Sequence, residues 1–149
     1  MRGYVDIGNG LENNEDSPIA KDALVFMAVS INGSWKIPIA YFFIDGMSGV
    51  ERSNLVTVAI KKLFDIKIRV IALTCDGSSC HLAMLKNLGA DISIENMSPS
   101  FVHPMDSSIQ AYVLLDICHM LKLVRNALGE GGIFTGGDNN VIQWKYISC

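Results

Sequence analysis

Apolar and polar positions change period along this chain, and the changes predict its elements in order. Residues 2–7 form an apolar run that reads as a strand, and the polar stretch Glu12-Asn13-Asn14-Glu15-Asp16-Ser17-Pro18 buries too little surface to be core and predicts a loop. Two β-rich runs, 23–31 and 35–44, flank Asn32-Gly33-Ser34. Asn-Gly tolerates the positive φ angles of a tight turn, so these runs pair as an antiparallel hairpin. Ser48 and Glu51 have the spacing of a capping box, which places a helix start near Val50. Val56, Ala59, Ile60, Leu63 and Phe64 then recur at helical spacing while Lys61 and Lys62 face water, and the pattern ends around Asp65.

Residues 68–75 are nearly all apolar apart from Arg69, the signature of a strand covered on both faces. Asp76-Gly77-Ser78 turns the chain into a helix over 79–88, with Ser78 as N-cap, Leu82, Leu85 and Leu88 as its buried stripe, and Gly89 as its stop. A connection rich in Ser, Pro and Asn follows, holding a short strand at 91–94. Residues 112–115 read as a second buried strand, 119–128 as a helix closed by Gly129, and the glycine-rich stretch 129–140 as a mobile linker. Three antiparallel strands followed by alternating strands and helices predict an α/β architecture, a mixed sheet with helices on its faces. The first apolar run opens just after Met1 and the last, 141–147, reaches Cys149 without a closing loop, which predicts a piece of a longer chain.

At 149 residues, half of them apolar, one domain with a substantial core is expected. Charged residues make up 18% and the formal charge is −3, so no basic field draws this chain to nucleic acid unaided. Cys75, Cys80, Cys118 and Cys149 form no C-x-x-C pair and read as reduced intracellular thiols. No apolar run reaches the ~18 residues that a membrane span requires, and the start of the chain lacks a signal-peptide pattern.

The candidate chemistry is acidic. Asp6, Asp76 and Asp116 each end a short apolar run, where a strand opens onto a loop. Carboxylates so placed suit a hard divalent cation such as Mg²⁺ and make metal-dependent phosphoryl transfer the first hypothesis. Each also has a plain structural reading: Asp6 caps a turn before Gly8, Asp76 starts an Asp-Gly turn, and Asp116 is the N-cap of the next helix. His119, Lys122 and Arg125 either belong to a solvated helix face opposite Leu121, Val124 and Leu128, or reach toward metal and phosphate oxygens with Asp116 as an outer-shell group. Cys80-His81 and Cys118-His119 lack the paired short spacing of structural zinc ligands.

Four stretches carry a closer resemblance: Trp35-Lys36-Ile37-Pro38-Ile39-Ala40-Tyr41-Phe42, Leu73-Thr74-Cys75-Asp76-Gly77, Met84-Leu85-Lys86-Asn87-Leu88-Gly89, and the distinctive run from Asp116-Ile117-Cys118-His119 to Arg125-Asn126. With this element order, the chain resembles the P-element-type transposases, which include THAP-domain proteins. The resemblance implies an RNase H-like α/β fold with a mixed five-stranded sheet, three antiparallel strands then parallel strands, flanked by helices. Residues 1–128 would be the first part of the catalytic core, and 129–149 the linker and start of an inserted domain. It further implies Mg²⁺- or Mn²⁺-dependent cleavage and strand transfer at transposon ends, with Asp6 and Asp76 on the first two positions of an acid triad. The third acid lies beyond the insertion in that family, and the family's upstream zinc-bound DNA-binding domain and dimerising segment are likewise expected outside this stretch. The family's GTP pocket belongs to the insertion and is expected outside this chain. DNA as partner, a homo-oligomer, a nuclear location and no membrane association are implied for the full-length proteins. Two acids alone predict weak or no catalysis by this chain. The alternative is a catalytically inactive, domesticated fragment serving as an interaction module.

Overall fold

A computed structural model describes residues 3–8 and 18–146. The polar loop expected at 12–18 lies outside the described residues except for Pro18. The chain divides after Ser48 into two compact units.

The first unit is built on the predicted hairpin of β1 (Asp22–Val29) and β2 (Lys36–Ile44), but neither Asn32 nor Gly33 takes the positive φ of a tight turn, and the loop closes more widely, with the Ser30 N–H donating to the Trp35 carbonyl at 3.1 Å. Pairing runs from Asp22 opposite Ile44 to Val29 opposite Lys36 and shifts between Phe26 and Met27, where Phe26 faces Ala40 but Met27 faces Pro38. Proline has no N–H for the ladder, so the strand bulges at Ile39 beside it. One face carries Leu24, Phe26, Ala40 and Phe42, half-buried, with the Phe26 and Phe42 rings edge to face at 5.8 Å. The other carries Val25, Met27, Val29 and Tyr41, all more than half exposed.

The second unit begins with α1 (Gly49–Asp65), which starts directly after Ser48 as the capping-box spacing predicts. Val56 and Ile60 are buried, while Lys61 and Lys62 are exposed. A three-stranded sheet follows, in the order β3 (Ala72–Cys75), β5 (Gln110–Leu115), β4 (Ser100–Val102). β3 runs parallel to β5, with α2 (Ser79–Leu88) in the connection, and β4 lies antiparallel on β5's other side. α1 packs on α2, and the core draws on Val56, Ile60, Met84, Leu85, Ala90, Phe101, Ala111, Val113 and Leu128. α3 (Ile117–Gly131) leads into a hairpin of β6 (Ile133–Thr135) and β7 (Val141–Gln143), and a 3₁₀ turn at Trp144–Tyr146.

Several expectations change. Among the described residues, the five-stranded sheet is replaced by sheets of two, three and two strands. Residues 3–8 contribute isolated bridges, Tyr4 to Ile19 and Asp6 to Phe43, because their partners are split between two short segments and no ladder long enough for a strand forms. The 68–75 strand shortens to Ala72–Cys75. In β5, Ala111 and Val113 are buried while Tyr112 and Leu114 are more than half exposed, so that strand is covered on one face. The expected strand at 91–94 is a single bridge between Asp91 and Ser98, and β4 forms a few residues later, between Pro99 and Pro104. α3 passes through Gly129 and stops at Gly132, whose φ of +72° is the left-handed conformation glycine adopts freely, and the stretch read as linker holds the β6–β7 hairpin. Leu82, Leu121 and Val124 are exposed, leaving Leu85 and Leu128 as the fully buried members of their predicted stripes.

Candidate functional site

Asp76 and Asp116 each lie one residue beyond the paired ends of parallel strands, where Cys75 stands opposite Leu115. The Asp116 backbone N–H donates to the Cys75 carbonyl at 2.9 Å, which locks the two strand ends in register. The carboxyl edge of a parallel sheet, with a helix starting from each strand, is where open α/β sheets place their ligands.

Asp76 turns the chain into α2. Its Oδ1 accepts the Ser78 backbone N–H at 2.9 Å and lies 2.5 Å from Nδ1 of His81 on the first turn of α2. Between them, Gly77 adopts φ +74°, and a Cβ there would stand 3.3 Å from Leu115 Cδ2 and 3.4 Å from Met120 Cε, so both backbone shape and space favour glycine. Ser78 occupies the N-cap position with extended backbone, but its hydroxyl makes no cap bond; it sits 3.1 Å from His81 Nδ1 and 3.3 Å from Cys80 Sγ. All the hydrogen bonds described for the Asp76 carboxylate fall on Oδ1, which leaves Oδ2 for another partner.

The Ser78 backbone N–H, with smaller contributions from His81 and the Ser78 hydroxyl working against burial, lowers the Asp76 pKa from 3.8 to about 2. Asp76 is therefore a carboxylate at any physiological pH. Because the folded value lies below the unfolded one, this stabilisation is complete above pH ~4 and disappears as pH falls through ~2. The side chain is 42% exposed, so solvent screening leaves only about 1 kcal/mol. In urea titrations, the stability gap between the wild type and Asp76→Asn is expected to be constant from pH 7 to 5 and to close between pH 4 and 2. A gap unchanged at pH 2 would contradict this origin.

Asp116 caps α3: its Oδ1 accepts the Cys118 N–H at 2.9 Å and the His119 N–H at 3.4 Å. This is the N-cap of its plain reading, with one oxygen taken up in capping at the edge that Asp76 shares. His119 is half-buried; Lys122 and Arg125 are exposed, and the Arg125 guanidinium donates to Asn126 Oδ1 at 2.9 Å. Arg125, Asn126, Gly129, Glu130 and Trp144 line a cavity of about 310 Å³ further along α3.

Asp6 belongs to the first unit. Its backbone exchanges both hydrogen bonds with Phe43, at 2.8 and 2.9 Å, and its Oδ1 accepts the Gly8 N–H at 2.8 Å, with Gly8 at φ +74°. That is the turn-capping geometry of its plain reading, with the carboxylate exposed at the hairpin's edge.

Among the described residues, no three His, Cys, Asp or Glu side chains converge as an ion-binding group. Mg²⁺ keeps much of its water and commonly takes one or two protein carboxylates, so an ionised Asp76 with Oδ2 free fits a partial ligand set for it. Burial raises the Cys75 thiol above its ordinary value, so it stays protonated at neutral pH. His81 is the site residue that the sequence reading missed; its signal was a histidine five residues after a strand-end aspartate, across a turn.

Comparisons with known proteins agree on the family. The family described as TNP-like, RNase H N-terminal domain, matches residues 1–89, and the TNP-like GTP-binding insertion domain matches residues 118–149. The human DNA transposase THAP9 is 39% identical over 147 residues, covering 99% of this chain and 16% of its own length. The Transposable element P transposase of Drosophila melanogaster is 27% identical over 104 residues, 70% of this chain and 13% of its own length. This chain thus spans about a sixth or less of these relatives. Its fold matches the Drosophila P element transposase strand transfer complex with a TM-score of 0.69 at 22% identity, covering 99% of this chain and 31% of that one. That likeness supports the RNase H-like fold, and the match over 1–89, more than half of the chain, places this protein in the TNP-like RNase H N-terminal domain family of P-element-type transposases.

Proposed function

We propose that this chain is the first part of a transposase catalytic core, in which Asp6 and Asp76 are two of three acids that hold Mg²⁺ or Mn²⁺ for cleavage and strand transfer at transposon ends. The observation that carries the reading is Asp76, an ionised carboxylate with one oxygen tied to its own turn and the other available, at the carboxyl edge of a parallel strand pair. The metal would supply Lewis-acid activation of a phosphodiester and of the attacking oxygen. The residues of this chain position it: Asp76 offers Oδ2, Asp116 borders the same edge through its free oxygen, and Lys122 and Arg125 supply exposed positive charge for phosphate oxygens. Residues 1–128 are read as the core and 129–149 as the lead into the insertion, whose family model matches from residue 118, and GTP is the cofactor this reading assigns to that insertion. DNA as substrate, homo-oligomeric assembly and a nuclear site of action belong to this proposal. Among the described residues, no helix is long and apolar enough to cross a membrane.

With Mg²⁺ or Mn²⁺ and a transposon-end duplex, the isolated chain is expected to cleave weakly or not at all while still binding Mn²⁺ through Asp76. Robust cleavage abolished by Asp76→Ala would overturn the incompleteness of the acid set. Mn²⁺ binding indifferent to Asp76→Ala would remove the metal assignment. The exposed apolar face of the β1–β2 hairpin favours a second reading, an inactive fragment kept as an interaction module. That module would need no cation at Asp76, so the same titration separates the two.

A further inference from the structure

The short contact between Asp76 and His81 assigns a role to a residue outside the acid set. Oδ1 of Asp76 accepts two donors on one side of the carboxylate, the Ser78 backbone N–H at 2.9 Å and His81 Nδ1 at 2.5 Å. An aspartate at a strand end turns freely about χ1 and χ2 when nothing holds it, and its two oxygens are then equivalent to an incoming cation. Here they are not. The backbone donor fixes the turn, and the imidazole, on the first turn of α2 and with its side chain only 18% exposed, fixes the plane of the carboxylate. A carboxylate acceptor makes Nδ1 the protonated nitrogen of the ring. The Ser78 hydroxyl, 3.1 Å from the same nitrogen, closes the cluster from the third side.

We propose that His81 is a positioning residue for the metal site: its Nδ1–H holds Asp76 Oδ1, so that Oδ2 alone meets the cation in a monodentate geometry set before the cation arrives. This rests on the proposed metal role of Asp76. Outer-shell partners of this kind orient the ligating atom and raise metal affinity by roughly 10- to 100-fold. Preorganisation is the source of the gain, because the carboxylate loses no rotational freedom on binding. Mg²⁺ demands near-ideal octahedral placement and tolerates a wandering ligand poorly, so the effect should be larger for Mg²⁺ than for a permissive ion such as Ca²⁺.

The test is Mn²⁺ and Mg²⁺ affinity of the 149-residue chain, read by electron paramagnetic resonance and calorimetry, for the wild type, Asp76→Asn, His81→Asn and His81→Gln. The amide nitrogen of asparagine falls where His81 Nδ1 stands and can donate to Oδ1, whereas that of glutamine falls near the Nε2 position and cannot. His81→Gln is expected to weaken binding about 10-fold and His81→Asn to stay within about threefold of wild type. Two results overturn the proposal: equal affinities for wild type and His81→Gln, or an Asn variant as weak as the Gln variant, which would make the imidazole ring itself the group required. If Asp76→Asn leaves binding unchanged, the metal role of Asp76 fails and this proposal falls with it. If Asp76→Asn abolishes binding while both His81 variants match wild type, only the positioning role fails. Urea midpoints of the same variants separate lost affinity from lost folding.

Discussion

When residues 1–149 replace their counterpart in the human relative, supplying the segments absent from this chain, Asp76→Asn is expected to lower Mg²⁺-dependent cleavage of transposon-end DNA by at least about 10³-fold, roughly 4 kcal/mol of transition-state stabilisation. The magnitude follows from what asparagine keeps and loses. Its side-chain oxygen can still accept the Ser78 N–H, so the turn into α2 survives, but the negative charge that keeps Oδ2 attractive to a cation is gone. In the proposed function the charge matters more than the hydrogen bonds, because it is what would hold a cation whose Lewis acidity would serve the phosphodiester chemistry. The same substitution is expected to cost no more than about 1 kcal/mol of fold stability, so unfolding midpoints and cleavage rates should separate clearly. A chimera that cleaves equally well with asparagine at position 76 would remove Asp76 from the chemistry and with it the proposed function.

How much of this was legible in the sequence depends on the range of the interaction that decides each element. The β1–β2 hairpin, the start of α1 after Ser48, the stop of α2 at Gly89 and the Asp116 N-cap are set by residues within a few positions of one another, and periodicity and turn chemistry reach them. Strand pairing is decided at long range. β4 is three residues between prolines and exists only because β5 offers it an edge, and residues 3–8 stay short of a strand because their partners are divided between Ile19 and Phe43. The glycines at 129, 131 and 132 misled for a related reason: Gly129 and Gly131 lie inside α3, and the helix continues past them to the left-handed Gly132, with Trp144 from beyond the helix end packing near Gly129. At the site, the strand-end aspartates were visible as a pattern. The His81 contact was not, since spacing tests Cys80-His81 only as a zinc pair, which it fails, while the geometry that matters joins His81 backwards to Asp76 across the turn.

Gly49→Ala is expected to destabilise the second unit by about 2–3 kcal/mol, although alanine is the better helix former by about 1 kcal/mol in an open helix. Gly49 opens α1 against the middle of α2: a Cβ there would lie 2.6 Å from Ala83 Cβ and 2.8 Å from both the Ala83 carbonyl carbon and the Met84 nitrogen. Two of those three atoms are backbone of another helix, which cannot rotate aside. Relief requires α1 and α2 to separate by several tenths of an ångström, and interiors packed like crystals lose dispersion contacts steeply over such a gap. The loss falls on the buried residues of these two helices, Val56 and Ile60 on one and Met84 and Leu85 on the other. Because only one of the three close atoms belongs to a side chain, Ala83→Gly is expected to recover less than half of the loss in a double-mutant cycle by urea unfolding. Full recovery would mean that the side chain alone sets the spacing, and a Gly49→Ala variant as stable as wild type would mean that the crossing has slack. The consequence reaches the site, since α2 carries His81 on its first turn and must stay where it is for Nδ1 to hold Asp76. A shift of α2 that lengthens that contact should therefore weaken Mn²⁺ binding in Gly49→Ala at temperatures where the variant is still fully folded.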